Sequence, residues 1–123
     1  MLLQFDFSSG VPLYMQLRNQ IIISIAEGRL KDGEKLPTIR ALSQESGINM
    51  MTVSKAYQLL RQEGYILADR RKGTVVSCEQ HNGPPSQETI SALRLQICEL
   101  RLAGLSREDV LNLCRGIYEE EIK

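Results

Sequence analysis

The side chains of this 123-residue chain best suited to chemistry are cations and hydrogen-bonding groups gathered in short runs. Arg70, Arg71 and Lys72 stand directly before Gly73 and Thr74, Arg40 stands alone, and Asn49, Thr52, Ser54 and Lys55 surround the neighbouring methionines Met50 and Met51. Lysine and arginine neutralise phosphates, asparagine and threonine hydrogen-bond to phosphates or base edges, and methionine packs on a thymine methyl. This is the chemistry of gripping an anionic polymer. The inventory for catalysis is thin by comparison: His81 is the one histidine, no two carboxylates share an apolar setting, and no glycine-rich loop is present to cradle a phosphate. No enzyme activity and no cofactor are therefore expected. A metal site is not expected either, because there is no Cys-x-x-Cys pair and the proximity of Cys78 and His81 is too little to build one. Cys78, Cys98 and Cys114 are an odd number at wide spacings, which reads as free thiols rather than a disulfide framework. Cys98 and Cys114 fall on or near apolar faces, where buried and inert thiols are the commoner outcome.

Helices and a hairpin must position these groups. Pro12 can occupy the first turn of a helix in which Leu13, Leu17, Ile21 and Ile25 recur on one face until Gly28. A loop carrying Lys31 to Lys35 leads to Leu36-Pro37, Thr38 then serves as N-cap for a short helix from Ile39 to Ser46, and Gly47 supplies a left-handed turn. Asn49 caps the next helix, whose Val53, Ala56, Tyr57 and Leu60 form a core stripe ending at Gly64. The opposite face carries Met51, Ser54, Lys55, Gln58, Arg61 and Gln62, with no negative charge before Glu63. Tyr65 to Ala68 and Thr74 to Ser77 read as short strands around the basic turn Asp69 to Gly73. Two helices joined through a glycine turn and followed by a hairpin make a winged helix-turn-helix. Its second helix fits the major groove of DNA, and the hairpin tip meets the adjacent backbone or minor groove. A run of charge is ordinarily a solvated hairpin tip; the position of this one, directly after the recognition helix, favours contact with DNA. Of the two methionines, one either tucks beneath the neighbouring helix or both help to read bases.

The segment from His81 to Ser86 collects turn residues and marks a boundary, giving residues 1–78 as a DNA-binding domain, 79–85 as a linker and 86–123 as a helical dimerisation element. In that last segment Ile90, Leu93, Ile97 and Leu100 mark one helix. Val110, Leu111, Leu113, Cys114 and Ile117 mark another, capped by Ser106. The two are expected as an antiparallel pair, with Ile90, Leu93, Ile97, Leu100, Leu111 and Ile117 forming the interface of a homodimer. The fold class is thus mostly α with a small β-hairpin.

Composition agrees with a globular domain, at 42% hydrophobic and 24% charged residues. The net charge of zero conceals an asymmetry. Through Cys78 there are ten Lys and Arg against seven Asp and Glu, giving +3, and beyond it five against eight, giving −3. No apolar run approaches the roughly 18 residues of a membrane span, and Met1 to Asp6 does not read as a signal peptide. A cytoplasmic location with no membrane partner is expected.

Five blocks carry a family resemblance: Leu36-Pro-Thr-Ile-Arg-Ala-Leu-Ser43, Gly47-Ile-Asn-Met-Met-Thr-Val-Ser-Lys-Ala-Tyr57, Leu59-Leu60, Glu63-Gly-Tyr-Ile66 and Lys72-Gly-Thr74. Their order and spacing closely resemble the N-terminal domain of the GntR family of bacterial regulators. The resemblance implies a dimer on a near-palindromic operator, with Arg40, the first turn after Asn49, and Gly73 touching double-stranded DNA. Many members carry arginine where this chain has Met50 and Ser54, so arginine-to-guanine contacts from the recognition helix do not carry over. The short C-terminal part resembles the YtrA subfamily, whose members often repress transporter operons. Two helices of this size scarcely enclose a ligand pocket, which points to dimerisation and leaves a small-molecule effector unknown. The competing reading is a winged-helix module that binds protein, favoured by the zero net charge and by Met50 and Met51.

Overall fold

Proline is tolerated where a helix begins because its missing amide has no partner there. Pro12 takes the N-cap position of α1 (Leu13–Ala26), one residue earlier than its spacing predicts, and its carbonyl accepts the amides of Met15 and Gln16, both at 3.0 Å. In the computed structural model residues 3–77 and 83–120 are described, and the chain divides into two compact units, Met1–Asn82 and Gly83–Lys123. Cys78, His81 and most of the segment expected as a linker lie outside the described residues.

Within the first unit, the Thr38 hydroxyl accepts the Ala41 amide at 3.0 Å and starts α2 (Ile39–Ser46). Gly47 ends it at φ 77°, a left-handed conformation that costs a residue with a Cβ about 1–2 kcal/mol. The turn is tightened by Ser46 Oγ, which donates to the Leu42 carbonyl at 2.6 Å, and by Ser43 Oγ, which donates to the Ile48 carbonyl. Asn49 Oδ1 then accepts the Met51 amide at 2.7 Å and opens α3 (Met50–Gln62). Caps of this kind contribute about 1 kcal/mol each, and here they fix the starts of two helices that are joined by the short turn Gly47 to Asn49.

The apolar stripes meet as their periodicity requires. Leu17 and Ile21 of α1, Leu42 of α2, and Val53, Ala56, Tyr57 and Leu60 of α3 are buried in one cluster, closed by Leu30, Leu36, Ile48, Ile66 and Val76. Leu13 and Ile25, at the ends of the α1 stripe, are half-buried. Tyr57 brings a polar group into this core, and its hydroxyl donates to the Pro37 carbonyl at 2.8 Å. Burial pushes its pKa well above the ordinary phenol value, so the donor proton stays in place.

The wing is an antiparallel pair, β1 (Ile66–Asp69) and β2 (Gly73–Val76), in register from Ile66 opposite Val76 to Asp69 opposite Gly73. It is not a free hairpin. The segment expected as plain loop runs along β2: the Gly33 amide donates to the Val76 carbonyl at 2.8 Å, Val76 to Glu34 at 2.9 Å, and Leu36 to Thr74 at 2.8 Å. The wing is thereby sewn to the residues that lead into α2.

The second unit holds α4 (Gln87–Leu102), capped by Ser86, and α5 (Arg107–Glu120). Ser106 and Asp109 cap each other reciprocally at the start of α5. Oγ of Ser106 accepts the Asp109 amide at 3.2 Å, and a carboxylate oxygen of Asp109 accepts the Ser106 amide at 3.0 Å. The antiparallel pairing expected of these helices is not formed within one chain. They do not approach closely along their lengths, α4 buries no residue, and α5 buries only Val110 among the described residues. Cys98 and Cys114 are likewise exposed rather than buried.

Candidate nucleic-acid interface

The groups singled out by residue type sit at three places in the first unit: the start of α2, the start of α3 and the tip of the wing. Arg40 occupies the first turn of α2, exposed, and makes no ion pair among the described residues. A guanidinium held this way on a capped helix start is free to engage an outside anion.

In α3, Asn49 spends its carbonyl oxygen on the cap, which leaves its amide N–H groups as donors. Met51 is 79% exposed and Met50 45%, so neither tucks beneath the neighbouring helix; Met51 in particular stands on the outer surface. Ser54 is exposed and Thr52 half-buried. Lys55 is exposed, and its ammonium lies 4.1 Å from the centre of the Tyr14 ring on α1. That cation–π contact steadies the side chain while leaving its N–H groups to donate. Tyr14 escaped the sequence reading because the contact joins two helices and has no local signal. The nearest negative charge on α3, Glu63, is turned toward α1 and held by both forks of Arg18, with Nε at 3.0 Å from Oε1 and Nη2 on Oε2. A half-buried bidentate pair of this kind locks α1 to the end of α3 and withdraws the carboxylate from the outer face.

At the wing tip, one Asp69 carboxylate oxygen accepts the amides of Arg71 at 2.7 Å and Lys72 at 3.0 Å. The Arg71 amide, then the Lys72 amide, with a smaller contribution from the Lys72 charge, hold this carboxyl below its ordinary value. The acid is therefore folded under the turn, and Arg70, Arg71 and Lys72 project from it, all exposed. Gly73 closes the turn at φ 88°. Its glycine identity is set by that conformation; a Cβ there would meet only Lys35 Cε, at an ordinary 3.7 Å. This distance reveals a further cation. Lys35, exposed and without an ion pair among the described residues, bridges to Val75 and runs alongside the wing turn. Sequence order hides it, since it precedes α2 and reaches the wing only through the edge pairing. Thr74, half-buried, is paired within the hairpin opposite Ala68.

Residues 13–76 match the family described as bacterial regulatory proteins, gntR family. The chain belongs to the GntR family. Among its relatives, the HTH-type transcriptional regulator Rv1152 of Mycobacterium tuberculosis is 31% identical over 96% of this chain and 95% of its own length. The HTH-type transcriptional repressor YtrA of Bacillus subtilis is 40% identical over 62% of this chain and 58% of its own. Of solved structures, a transcriptional antiterminator from Listeria monocytogenes EGD-e aligns over 100% of this chain and 94% of its own at a TM-score of 0.87 and 28% identity. YtrA from Sulfolobus acidocaldarius, a GntR-family transcription factor, aligns over 96% and 97% at 0.59 and 36%. The DNA-binding domain of AraR in complex with operator ORR3 aligns over 63% and 95% at 0.51 and 29%. The GntR winged helix-turn-helix with a C-terminal helical part is thus the architecture of this chain, and YtrA-type regulators are among its relatives. Among the described residues no helix is long and apolar enough to cross a membrane, and no group of His, Cys, Asp or Glu is arranged to hold a metal ion.

Proposed function

We propose that this GntR protein is a sequence-specific DNA-binding repressor that acts as a homodimer on a near-palindromic operator. The observation that carries the reading is the set of cations and donors left without internal partners at the start of α2, the start of α3 and the wing tip, while the nearby acids Glu63 and Asp69 are engaged internally. Arg40, Arg70, Arg71 and Lys72 supply most of the affinity through phosphates. Asn49, Met50, Met51, Thr52, Ser54 and Lys55 read bases, and Gly73 and Thr74 shape the wing beside the backbone. The AraR domain, which has the same fold, is solved with an operator, and YtrA of Bacillus subtilis is a repressor; both support the assignment. Residues 1–78 would form the DNA-binding domain and 86–123 the dimerisation element. Control of a transporter operon in the cytoplasm is the biological setting the family likeness favours.

The test is fluorescence anisotropy of the full chain against its own upstream DNA and against a scrambled duplex. Tighter binding to the upstream DNA, weakened by Arg40→Ala and by Arg71→Ala, is expected. Equal affinity for both duplexes, or no loss in either variant at moderate salt, would remove the proposal. The exposure of Met51 favours a second reading, docking of a protein on α3; weak and salt-insensitive DNA binding would be its mark.

A further inference from the structure

We infer that the winged-helix unit carries its own site for a small amphipathic monoanion, in the cleft between the end of α1 and the loop leading into α2. The cleft has a volume of about 600 Å³, within the range of roughly 300–1,000 Å³ that holds small ligands. Its apolar wall is Leu30, Leu36 and Pro37, with Leu30 and Leu36 buried. Ser24 lines it as well. This serine is 9% exposed, and its hydroxyl makes no hydrogen bond to any described residue. The hydroxyl is therefore a donor and acceptor at the cleft wall that an occupant can use.

The charges at the rim decide the class of that occupant. Arg29 and Lys35 both line the cleft. Lys35 has no ion pair among the described residues, and Arg29 places one nitrogen, Nη2, 2.9 Å from Glu27, leaving its other N–H groups to donate. The one acid in the lining, Glu34, is directed to the Lys31 amide at 3.1 Å. An apolar tail against Leu30, Leu36 and Pro37, with a single carboxylate head toward Arg29 and Lys35, matches both the wall and the two cations. A bare anion leaves the apolar wall uncovered, and a cation meets two like charges.

The location gives such a ligand leverage. The loop that forms the cleft hydrogen-bonds to β2 through Gly33, Glu34 and Leu36, and the cleft ends at Thr38, the cap of the helix that carries Arg40. A ligand that binds the free and operator-bound forms unequally changes operator affinity by the same factor. This regulatory consequence rests on the DNA-binding reading, whereas the site itself does not.

The experiment is amide chemical-shift mapping of the full chain without DNA, titrated with hexanoate, and in parallel with hexylammonium and with inorganic phosphate. Hexanoate should give saturable shifts below ~10 mM, as expected for a ligand this small, centred on the amides of Arg29, Leu30, Glu34 and Leu36. Lys35→Glu, at an exposed position, should weaken it by about tenfold or more, and Ser24→Val should weaken it to a lesser degree. No saturable shifts at those amides, equal binding of hexylammonium or phosphate, or unchanged affinity in Lys35→Glu would overturn the inference. Because no DNA is present, each of these outcomes is independent of whether the chain binds an operator.

Discussion

The two units of the chain treat the same kind of side chain in opposite ways. In α1 and α3 the leucines and isoleucines of the apolar stripe turn inward, and Leu17, Ile21 and Leu60 are fully buried. In α4 and α5 the apolar side chains are less covered: Leu93, Leu111, Leu113 and Ile117 are exposed and Leu102 is 90% exposed, while Ile90, Ile97 and Leu100 are half-buried and only Val110 is buried among the described residues. Both patterns are amphipathic helices in sequence, and the difference lies in how far the helices of each unit pack on one another. Three helices and a wing close a core around Tyr57; two helices that do not pack on one another cannot. Exposed apolar faces of this extent mark sites of association, and a second copy of the same helices offers a self-complementary one.

The sharpest way to break this contrast is to make one substitution in both units. Leu60→Ala should cost about 2–5 kcal/mol of stability by leaving a cavity in the core, whereas Leu102→Ala should stay within about 0.5 kcal/mol; urea unfolding of both variants measures it. Comparable losses would mean that the C-terminal helices have a core of their own. Next in size, Leu93→Asp combined with Ile117→Asp should convert a dimer to a folded monomer and weaken operator binding by about 100-fold, because two half-sites are no longer gripped together. Sedimentation velocity and anisotropy read the two effects, and a dimer that persists would place the interface elsewhere. Within the first unit, Gly73→Ala should cost about 1–2 kcal/mol through its positive φ, visible as a lowered thermal midpoint; an unchanged midpoint would mean the wing turn relaxes freely.

The smallest effect is in the wing itself. Asp69 has a folded-state pKa below its ordinary value, so the stabilisation its carboxylate gives the turn is present above the unfolded pKa. That stabilisation is lost as pH falls through the depressed one. A carboxyl titration followed by NMR should put the Asp69 midpoint below 3.8, the ordinary value, and the Arg71 and Lys72 amides should exchange faster as it protonates. A midpoint at or above that value would contradict the turn described for the tip.

Much of the first unit could be read from the residues because its signals are local. Thr38 and Asn49 announce helix starts within three residues of themselves, Gly47 announces the turn, and the four-residue spacing of the α1 stripe finds its own face. The elements that carry the candidate interface are legible to the same extent: Arg40, the first turn of α3 and the wing cations lie on elements whose ends the sequence marks. What escaped depends on distance along the chain. The edge pairing of Gly33 to Leu36 with β2, the approach of Lys35 to Gly73, and the Tyr14 ring beneath Lys55 are tertiary contacts without a local pattern. The same physics explains the error in the second unit. An apolar stripe on α4 and another on α5 say that each face is to be covered, and nothing in either spacing says whether the cover comes from the same chain or another. Cys98 and Cys114 were expected to be buried for the same reason, and in one chain they are not.

The most direct test of the account is the salt dependence of binding to the upstream DNA, measured for the full chain and for Arg71→Ala. Log affinity should fall linearly with log salt, and the slope should become shallower by about 0.9 in the variant, the value for one lost phosphate contact. A slope near zero, or an identical slope in the two proteins, would contradict the placement of the wing on the DNA backbone.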